Sequence, residues 1–325
     1  MLGLLKEQAI MIDRLMAEDL ALVSNPMLTE VLNYALFNGG KRIRPLLTVL
    51  SGKLCCQARG VMDDSVYTLS LAFEYLHAAS LLHDDVIDYA DQRRGQAAAN
   101  RVWGNSAVIL AGDYLHSRAM FLAGTIGLQG CLAKICQATA SMVESEFIQM
   151  KNAQEQDRSE SSYFDVLDGK TAALIAAACE VGAIQAGADQ DQQQALSRFG
   201  ASLGIAFQIV DDLLDYLGEP GKTGKVVGND FQEGKMTLPL IKALDRANED
   251  DRRILTNLLD STPEQRMASV SQAKAIIEKN EGFVKAHSVA EELIRKATAG
   301  LCIFRDCREK EILLGLGMYV LQRDK

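Results

Sequence analysis

Apolar residues recur three and four positions apart along almost the whole 325-residue chain, and strict alternation of apolar and polar residues is rare. Spacing of three and four places apolar side chains on one face of an α-helix, whereas half-buried strands need alternation. The chain has only 5 prolines, and a proline inside a helix removes a hydrogen bond and clashes with the preceding turn. These features predict an all-α fold of about ten or more helices.

No change of composition along the chain indicates a linker, so the sequence predicts a single domain over residues 1–325. One long helix is predicted over residues 62–90, where apolar residues recur at helical spacing. Further helices are predicted over residues 106–124, 131–150, 163–187 and 194–218. The polar segment 152–162 and the Gly- and Lys-rich segment 218–230 are predicted to be loops.

Charge and composition exclude several classes of protein. A net charge of −9 argues against a nucleic-acid partner, which requires a basic face. No apolar run reaches the roughly 20 residues that span a bilayer, and the N-terminus lacks the pattern of a signal peptide. Seven cysteines without C-x-x-C spacing, and only 4 histidines, argue against a zinc site. The sequence therefore predicts a cytoplasmic protein without a membrane anchor.

The pattern D-D-x-x-D occurs twice, each time within an apolar run predicted to be helical. On an α-helix its first and last aspartates lie on one face, one turn apart. Like charges in apolar surroundings are costly unless a cation compensates them, and carboxylates without Cys or His partners suit Mg²⁺ or Mn²⁺. One such cluster could be a solvated acidic face, but two of identical spacing predict walls that hold several Mg²⁺ ions around a polyphosphate. The aspartates are Asp84, Asp85 and Asp88, and then Asp211, Asp212 and Asp215.

Basic residues close to these clusters also favour a phosphate ligand, because arginine forks and lysine point charges both suit phosphate oxygens. They are Lys41, Arg42, Arg44, Arg93, Arg94, Lys170, Lys225 and Lys235.

Two G-K-T strings, at residues 169–171 and 221–223, suggest a nucleotide-binding P-loop. Phe164 and Tyr216 occupy the positions where that loop requires its first glycine, so a P-loop ATPase is excluded.

Five segments, GGKRIRP, LLHDDVIDYADQRRG, GKTA, FQIVDDLLD and EGKMTLP, resemble the signature blocks of the trans-isoprenyl (polyprenyl) diphosphate synthases in their order and spacing. The resemblance extends from Asn38 to Leu240 and is strongest to the long-chain octaprenyl and solanesyl synthases. It implies an all-α helical bundle of the isoprenoid synthase type around a deep central cavity. It also implies a homodimer that contacts membranes only transiently, when it releases its product.

The activity implied by the resemblance is the head-to-tail condensation of isopentenyl diphosphate with an allylic diphosphate, farnesyl or geranylgeranyl, after Mg²⁺-assisted ionisation. The expected product is a long-chain all-trans polyprenyl diphosphate of about C30 to C50 for quinone side chains, with C20 geranylgeranyl diphosphate as the alternative. A class I terpene cyclase, a head-to-head synthase and an inactive regulatory subunit are further alternatives. Cyclases need no second diphosphate site, and regulatory subunits tend to lose one acidic cluster.

The resemblance also assigns residues. Mg²⁺, for which Mn²⁺ is expected to substitute, would be bound at Asp84, Asp88, Asp211 and Asp215, with Asp85 and Asp212 in supporting positions. Isopentenyl diphosphate would be held by Lys41, Arg44, His77 and Arg94, and the allylic diphosphate by Arg93, Lys170 and Lys225. The catalytic set comprises Lys170, Thr171, Gln208 and Lys225, with Lys235 near a lid. His83 and His116 are expected to be structural.

Product length is expected to depend on the helix that carries the first acidic cluster. Ala79 precedes Asp84 by five residues, where short-chain relatives carry bulky side chains that end growth. The small side chain predicts that the product passes this level. Tyr75, Leu76 and Phe73 are then candidates for a deeper floor. Close helix packing through alanine is the alternative explanation.

Overall fold

The computed structural model describes residues 2–56, 63–218 and 227–323. In these residues the α-helices are α1 (Leu2–Leu20), α2 (Pro26–Phe37), α3 (Ile43–Cys56), α4 (Ser65–Ile87), α5 (Ala99–Trp103), α6 (Asn105–Ile126), α7 (Gln129–Glu155), α8 (Glu160–Leu167), α9 (Ala173–Gln185), α10 (Gln190–Leu217), α11 (Asn229–Gln232), α12 (Leu238–Arg246), α13 (Glu249–Leu259), α14 (Pro263–Lys279), α15 (Gly282–Gly300) and α16 (Arg308–Leu321). Within the same residues the only strands are β1 (Gln92–Arg93) and β2 (Gln96–Ala97), which pair antiparallel. The all-α prediction is confirmed.

The chain divides into two compact units. The first comprises residues 1–139, 174–200 and 301–313, and the second comprises residues 140–173, 201–300 and 314–325. The single domain expected from composition stays a prediction.

In the first unit, α4 packs against α3 and α6. It buries apolar residues along most of its length, and Phe73 and Leu69 are fully buried. A Cβ at Gly112 of α6 would lie 2.4 Å from Nε2 of His83, so any larger residue there would have to displace the imidazole ring. The helix is shorter than the predicted 62–90. Its hydrogen-bond pattern nevertheless reaches Asp88, whose N–H donates to the carbonyl of Asp84 at 2.8 Å.

In the second unit, the helix predicted over 163–187 is interrupted by a π-helical turn at Asp168–Ala172. Such turns carry one extra residue and occur frequently at functional sites. The loop predicted over 152–162 is largely wrong, because α7 continues to Glu155 and α8 begins at Glu160. The polar residues in this stretch belong to the exposed C-terminal end of α7. The helix ends at Glu155, and Gln156 follows with a φ of 53°. The loop predicted over 218–230 lies mostly outside the described residues.

Candidate active site

The first acidic cluster lies at the C-terminal end of α4, and its three carboxylates have different surroundings. Asp84 is half-buried and Asp88 is exposed, on one face of the helix. Asp85 is 2% exposed and accepts a hydrogen bond from Nε of Arg93 at 2.6 Å. Burial raises the pKa of Asp85, with a contribution from Asp88, while Arg93 opposes the shift. Asp85 therefore orients an arginine, whereas Asp84 and Asp88 face outward.

The hairpin of β1 and β2 carries Arg93 and Arg94. Arg94 and Gly95 at its turn both have positive φ, 52° and 77°, as a two-residue hairpin of type I′ requires. Nη1 of Arg94 donates to the carbonyl of Gly39 at 2.6 Å. Gly39 and Gly40 also have positive φ, 85° and 132°, which is why glycine suits both positions. The segments GGKRIRP and DQRRG thus meet although they are far apart in sequence.

A group of cations surrounds His77 in the first unit. Burial lowers the pKa of His77 well below its ordinary value, and Arg44, Arg94, Arg93 and Arg42 lower it further. Burial likewise lowers the pKa of Arg44 to about 10, although Glu74 acts in the opposite direction. Nε of Arg44 is buried without a hydrogen-bond partner among the described residues. Such a cluster has donors and positive charge available for an anion.

A cavity beside this cluster is bounded by polar and apolar groups of the same unit. Its lining includes Asn38, Ala78, Leu81, Asp85, Arg93, Arg94 and Gln96. Lys41, at the start of the same basic segment, is exposed. The predicted diphosphate residues Lys41, Arg44, His77, Arg93 and Arg94 therefore belong to one unit.

Arg42 differs from Lys41 and Arg44 because its guanidinium donates to three acceptors within the protein. It is 5% exposed and has a φ of 51°. Its guanidinium donates to Glu74 at 2.7 Å, to Asp13 at 2.7 Å and to the carbonyl of Leu36 at 2.5 Å. Glu74, which is also 5% exposed, was not predicted from the sequence. Its carboxylate balances the positive charge around His77.

The π-helical turn carries Lys170 and Thr171, and both side chains are half-buried. Nζ of Lys170 lies 2.5 Å from Oε1 of Glu146 and 3.3 Å from Oε1 of Gln149, both on α7. A Cβ at Gly169 would lie 2.6 Å from Cβ of Ser145, so glycine permits the turn to approach α7. The glycine of the GKT string thus has a packing role.

The second acidic cluster lies near the C-terminal end of α10. Asp212 is 5% exposed and accepts hydrogen bonds from the Tyr163 hydroxyl at 2.7 Å and from Nε2 of Gln208 at 3.0 Å. Burial raises the pKa of Asp212 to about 7, with Asp230 adding to the shift while Tyr163 and Gln208 oppose it. Asp212 is therefore an anchored, buried member of the cluster, and Gln208 is fixed by the same contact.

Asp215 connects the cluster to α11. Its carboxylate accepts from the backbone N–H of Asp230 at 3.1 Å. Lys235 follows α11 and pairs with Glu233 at 2.6 Å and with Asp230 at 3.4 Å. Burial acts to lower the pKa of Lys235, but the charges of Asp230 and Glu233 outweigh it and raise that pKa. Lys225 lies outside the described residues.

Asp211 faces a cation from the far end of the chain. Nη2 of Arg323 lies 3.4 Å from Oδ1 of Asp211, and the guanidinium stands 4.3 Å from the ring centre of Phe207. Nε and Nη1 of Arg323 are buried without partners among the described residues. Asp211 is thus charge-compensated by Arg323 before any metal ion binds.

The predicted chain-length residues are all buried on α4. Ala79, Leu76 and Tyr75 are 4%, 3% and 0% exposed. The Tyr75 hydroxyl donates to Oδ2 of Asp19 on α1 at 2.9 Å. At about 100° per residue, Tyr75 projects about 180° away from Asp84, and Leu76 only about 80°. Phe73, the third candidate for a deeper floor, is 0% exposed and projects only about 20° from Asp84, so it lies nearest that face.

Most of the amino-acid sequence matches the model of a known protein family. Residues 25–277 fit the family model described as Polyprenyl synthetase. The chain belongs to the polyprenyl synthetase family. It is therefore an enzyme, a transferase of prenyl groups.

Individual polyprenyl synthetases align over almost their full length. The octaprenyl diphosphate synthase of Escherichia coli is 35% identical over 97% of this chain and 98% of its own. The short chain isoprenyl diphosphate synthase of Methanothermobacter thermautotrophicus is 34% identical over 99% and 98%. The crystal structure of a polyprenyl synthase from Caulobacter crescentus, complexed with calcium and isoprenyl diphosphate, matches with a TM-score of 0.90 and 32% identity over 99% and 97%. The expected isoprenoid synthase fold is confirmed.

Several residues that interact with the predicted site residues were not predicted from the sequence. They are Glu74, Glu146, Tyr163, Asp230 and Arg323. Glu74 could have been noticed as a lone charge in an apolar run, and Asp230 as an acid between two basic motifs. The partners of Glu146, Tyr163 and Arg323 are distant in sequence and carry no local signal. Among the described residues, none of the helices has the length and apolarity to cross a bilayer.

Proposed function

We propose that the protein condenses isopentenyl diphosphate with farnesyl or geranylgeranyl diphosphate, head to tail, and repeats the reaction to give a long all-trans polyprenyl diphosphate for quinone side chains. The observation that carries this proposal is the cation cluster around His77 next to the acidic end of α4. A cyclase acts on one diphosphate and needs no such additional anion site. Membership of the polyprenyl synthetase family supports the same chemistry.

Mg²⁺ is the proposed metal, held by Asp84 and Asp88 on α4 and by Asp211 and Asp215 on α10. Among the described residues no three Asp, Glu, His or Cys side chains converge to bind an ion unaided. Diphosphate oxygens and water would therefore complete each shell, as is usual for Mg²⁺. When bound, Mg²⁺ supplies Lewis-acid stabilisation of the departing diphosphate. The binding of calcium with isoprenyl diphosphate by the Caulobacter protein supports a divalent cation.

The chain's own residues bind the two diphosphates and stabilise charge as it develops. Lys41, Arg44, His77 and Arg94 hold isopentenyl diphosphate, and Arg93, Lys170 and Lys225 hold the allylic substrate. As its C–O bond breaks, fixed cations at the leaving group stabilise the growing negative charge. Thr171 and Gln208 are the proposed polar groups beside the carbon that becomes positive, and Lys235 is the proposed basic residue near the lid. The double bond of isopentenyl diphosphate attacks that carbon and forms the new C–C bond. The departing diphosphate then takes the proton that the resulting cation loses, which leaves a new allylic diphosphate.

Chain length is proposed to exceed C20, in the range of about C30 to C50. The small, buried Ala79 supports passage of the growing chain past the first turn below Asp84. The full-length similarity to the octaprenyl synthase of Escherichia coli supports it as well. Geranylgeranyl diphosphate remains the second candidate, because the short chain synthase of Methanothermobacter thermautotrophicus is about equally similar.

A homodimer is proposed from exposed apolar residues on α7. Val143, Phe147 and Met150 are 55%, 69% and 47% exposed. Their spacing of four and three residues places them on one helical face. A face of this kind is typical of a protein interface. Sedimentation equilibrium would show a dimer, and Phe147→Glu should shift it to monomer.

The test of function is the consumption of labelled isopentenyl diphosphate with each allylic starter in Mg²⁺ buffer. Asp84→Ala and Asp211→Ala should lower turnover by orders of magnitude and leave the circular dichroism spectrum unchanged. Asp191→Ala, an exposed position on α10, is the matched control and should keep full activity. Near-normal turnover in Asp84→Ala or Asp211→Ala would overturn the metal assignment. Reaction of an allylic diphosphate without isopentenyl diphosphate would favour a cyclase, and no reaction with any starter would favour a regulatory subunit.

A further inference from the structure

Lys170 makes its closest contact with an acid that has no place in the predicted site. Its ammonium lies 2.5 Å from Oε1 of Glu146 and 3.3 Å from Oε1 of Gln149. The side chains of Lys170 and Glu146 are 31% and 25% exposed. The pair is thus partly shielded from water while an anionic ligand can still reach it.

The backbone of the π-helical turn at Gly169 determines where Lys170 lies along α7. A Cβ added at Gly169 would meet Cβ of Ser145 at 2.6 Å and the carbonyl of Ser141 at 2.7 Å. Ser145 is 2% exposed, and its hydroxyl donates to the carbonyl of Met142 at 2.8 Å. The π-helical turn and α7 therefore touch directly at the position that precedes Lys170. This close approach places Lys170 beside α7, within reach of Glu146.

We infer that Glu146 is a positioning residue that holds the Lys170 ammonium in place and partly neutralises it until an allylic diphosphate arrives. The inference rests on the proposed function, in which Lys170 binds that diphosphate. The ammonium has three donors, so a diphosphate oxygen can bind beside the Glu146 carboxylate, but the two anions then repel each other. Glu146 therefore lowers ground-state affinity for the allylic substrate, and in return it fixes the cation where charge develops on the leaving group.

The test is Glu146→Gln, which keeps the size of the side chain and removes its charge. A partly exposed ion pair of this kind changes affinity by about fivefold. The dissociation constant for the unreactive analogue farnesyl thiodiphosphate, measured by calorimetry in Mg²⁺ buffer, should fall by about fivefold. The turnover number should fall roughly tenfold, because the ammonium is less well placed. Glu146→Asp, which restores the charge, should return the dissociation constant towards that of the unmodified protein.

Two variants give the controls. Glu144→Gln makes the same change at an exposed position of α7 and should alter neither constant. In the background of Lys170→Met, Glu146→Gln should no longer change affinity. An unchanged or weaker affinity of Glu146→Gln would overturn the inference, and so would a gain that persists without the lysine. If Lys170→Met itself binds the analogue normally, the assignment of Lys170 in the proposed function fails instead.

Discussion

Arg42 stands between two proposed substrate ligands in sequence, Lys41 and Arg44, yet the structure gives it a different role. Its guanidinium is 5% exposed and has three acceptors, Glu74, Asp13 and the carbonyl of Leu36. Arg42→Met would keep much of the side-chain volume and remove all three hydrogen bonds. We therefore predict a loss of stability and a much smaller effect on substrate binding.

The magnitude follows from the burial of the partners of Arg42. The Glu74 side chain is 7% exposed, so its carboxylate would lose its hydrogen-bonded cation in the interior and keep only the longer-range attraction of Arg44 and Arg94. Breaking a buried ion pair from one side costs about 3–5 kcal/mol. The Asp13 side chain is 46% exposed and its pair with Arg42 adds at most about 1 kcal/mol. The free energy of unfolding of Arg42→Met should therefore decrease by about 3–5 kcal/mol.

Urea denaturation followed by far-ultraviolet circular dichroism measures this change. Lys41→Met is the control at the exposed neighbouring position. It should stay within about 0.5 kcal/mol of the unmodified protein and raise the KM for isopentenyl diphosphate. If Arg42→Met unfolds within about 1 kcal/mol of the unmodified protein and mainly raises that KM, Arg42 is a substrate ligand and the argument is refuted.

Three further predictions concern single residues of the site. His77 has a lowered pKa, so the unfolded chain binds a proton that the native state does not, and stability should decrease as pH falls below about 6.5. Isopentenyl diphosphate should raise the pKa of His77, so calorimetry in buffers of different ionisation enthalpy should show proton uptake on binding, and His77→Asn should reduce it. Equal proton uptake by the variant and the unmodified protein would contradict this. Gly169→Ala should lower the free energy of unfolding by about 1–3 kcal/mol and slow turnover, because the new Cβ would meet Ser145 at 2.6 Å. Gly124→Ala is the control, because its Cβ would have no atom within 4 Å. Equal stability of the two variants would refute the packing argument. Ala79→Phe should shorten the product in sizing chromatography, and an unchanged product would show that this position does not limit growth.

The helices could be predicted because their signal is local. Apolar spacing placed α4, α6, α7 and α10 near their observed positions, and the structure shows that both acidic clusters lie at or near the C-terminal ends of their helices. The interrupted helix at Asp168–Ala172 was missed, because a π-helical turn leaves no mark in apolar periodicity. The loop predicted over 152–162 failed because polar residues also occupy exposed helix ends.

The fine structure of the site depends on contacts between distant residues, which local patterns do not contain. Arg42 and Arg44 look alike in sequence, and only the acceptors Glu74, Asp13 and the Leu36 carbonyl separate a structural arginine from one with an unpartnered Nε. The hydrogen bond from Tyr163 to Asp212 joins residues 49 positions apart. Which aspartate of a D-D-x-x-D pattern is buried follows from helix geometry, but what anchors it does not.

The most direct test of the proposed activity is the size of the product made from labelled isopentenyl diphosphate and farnesyl diphosphate in Mg²⁺ buffer. Reversed-phase chromatography of the dephosphorylated products separates chains that differ by one isoprene unit. The proposed function predicts a ladder that ends between about C30 and C50, past the level of Ala79 on α4. A product that stops at C20 would contradict the long-chain assignment, and no incorporation of isopentenyl diphosphate would contradict the condensation itself.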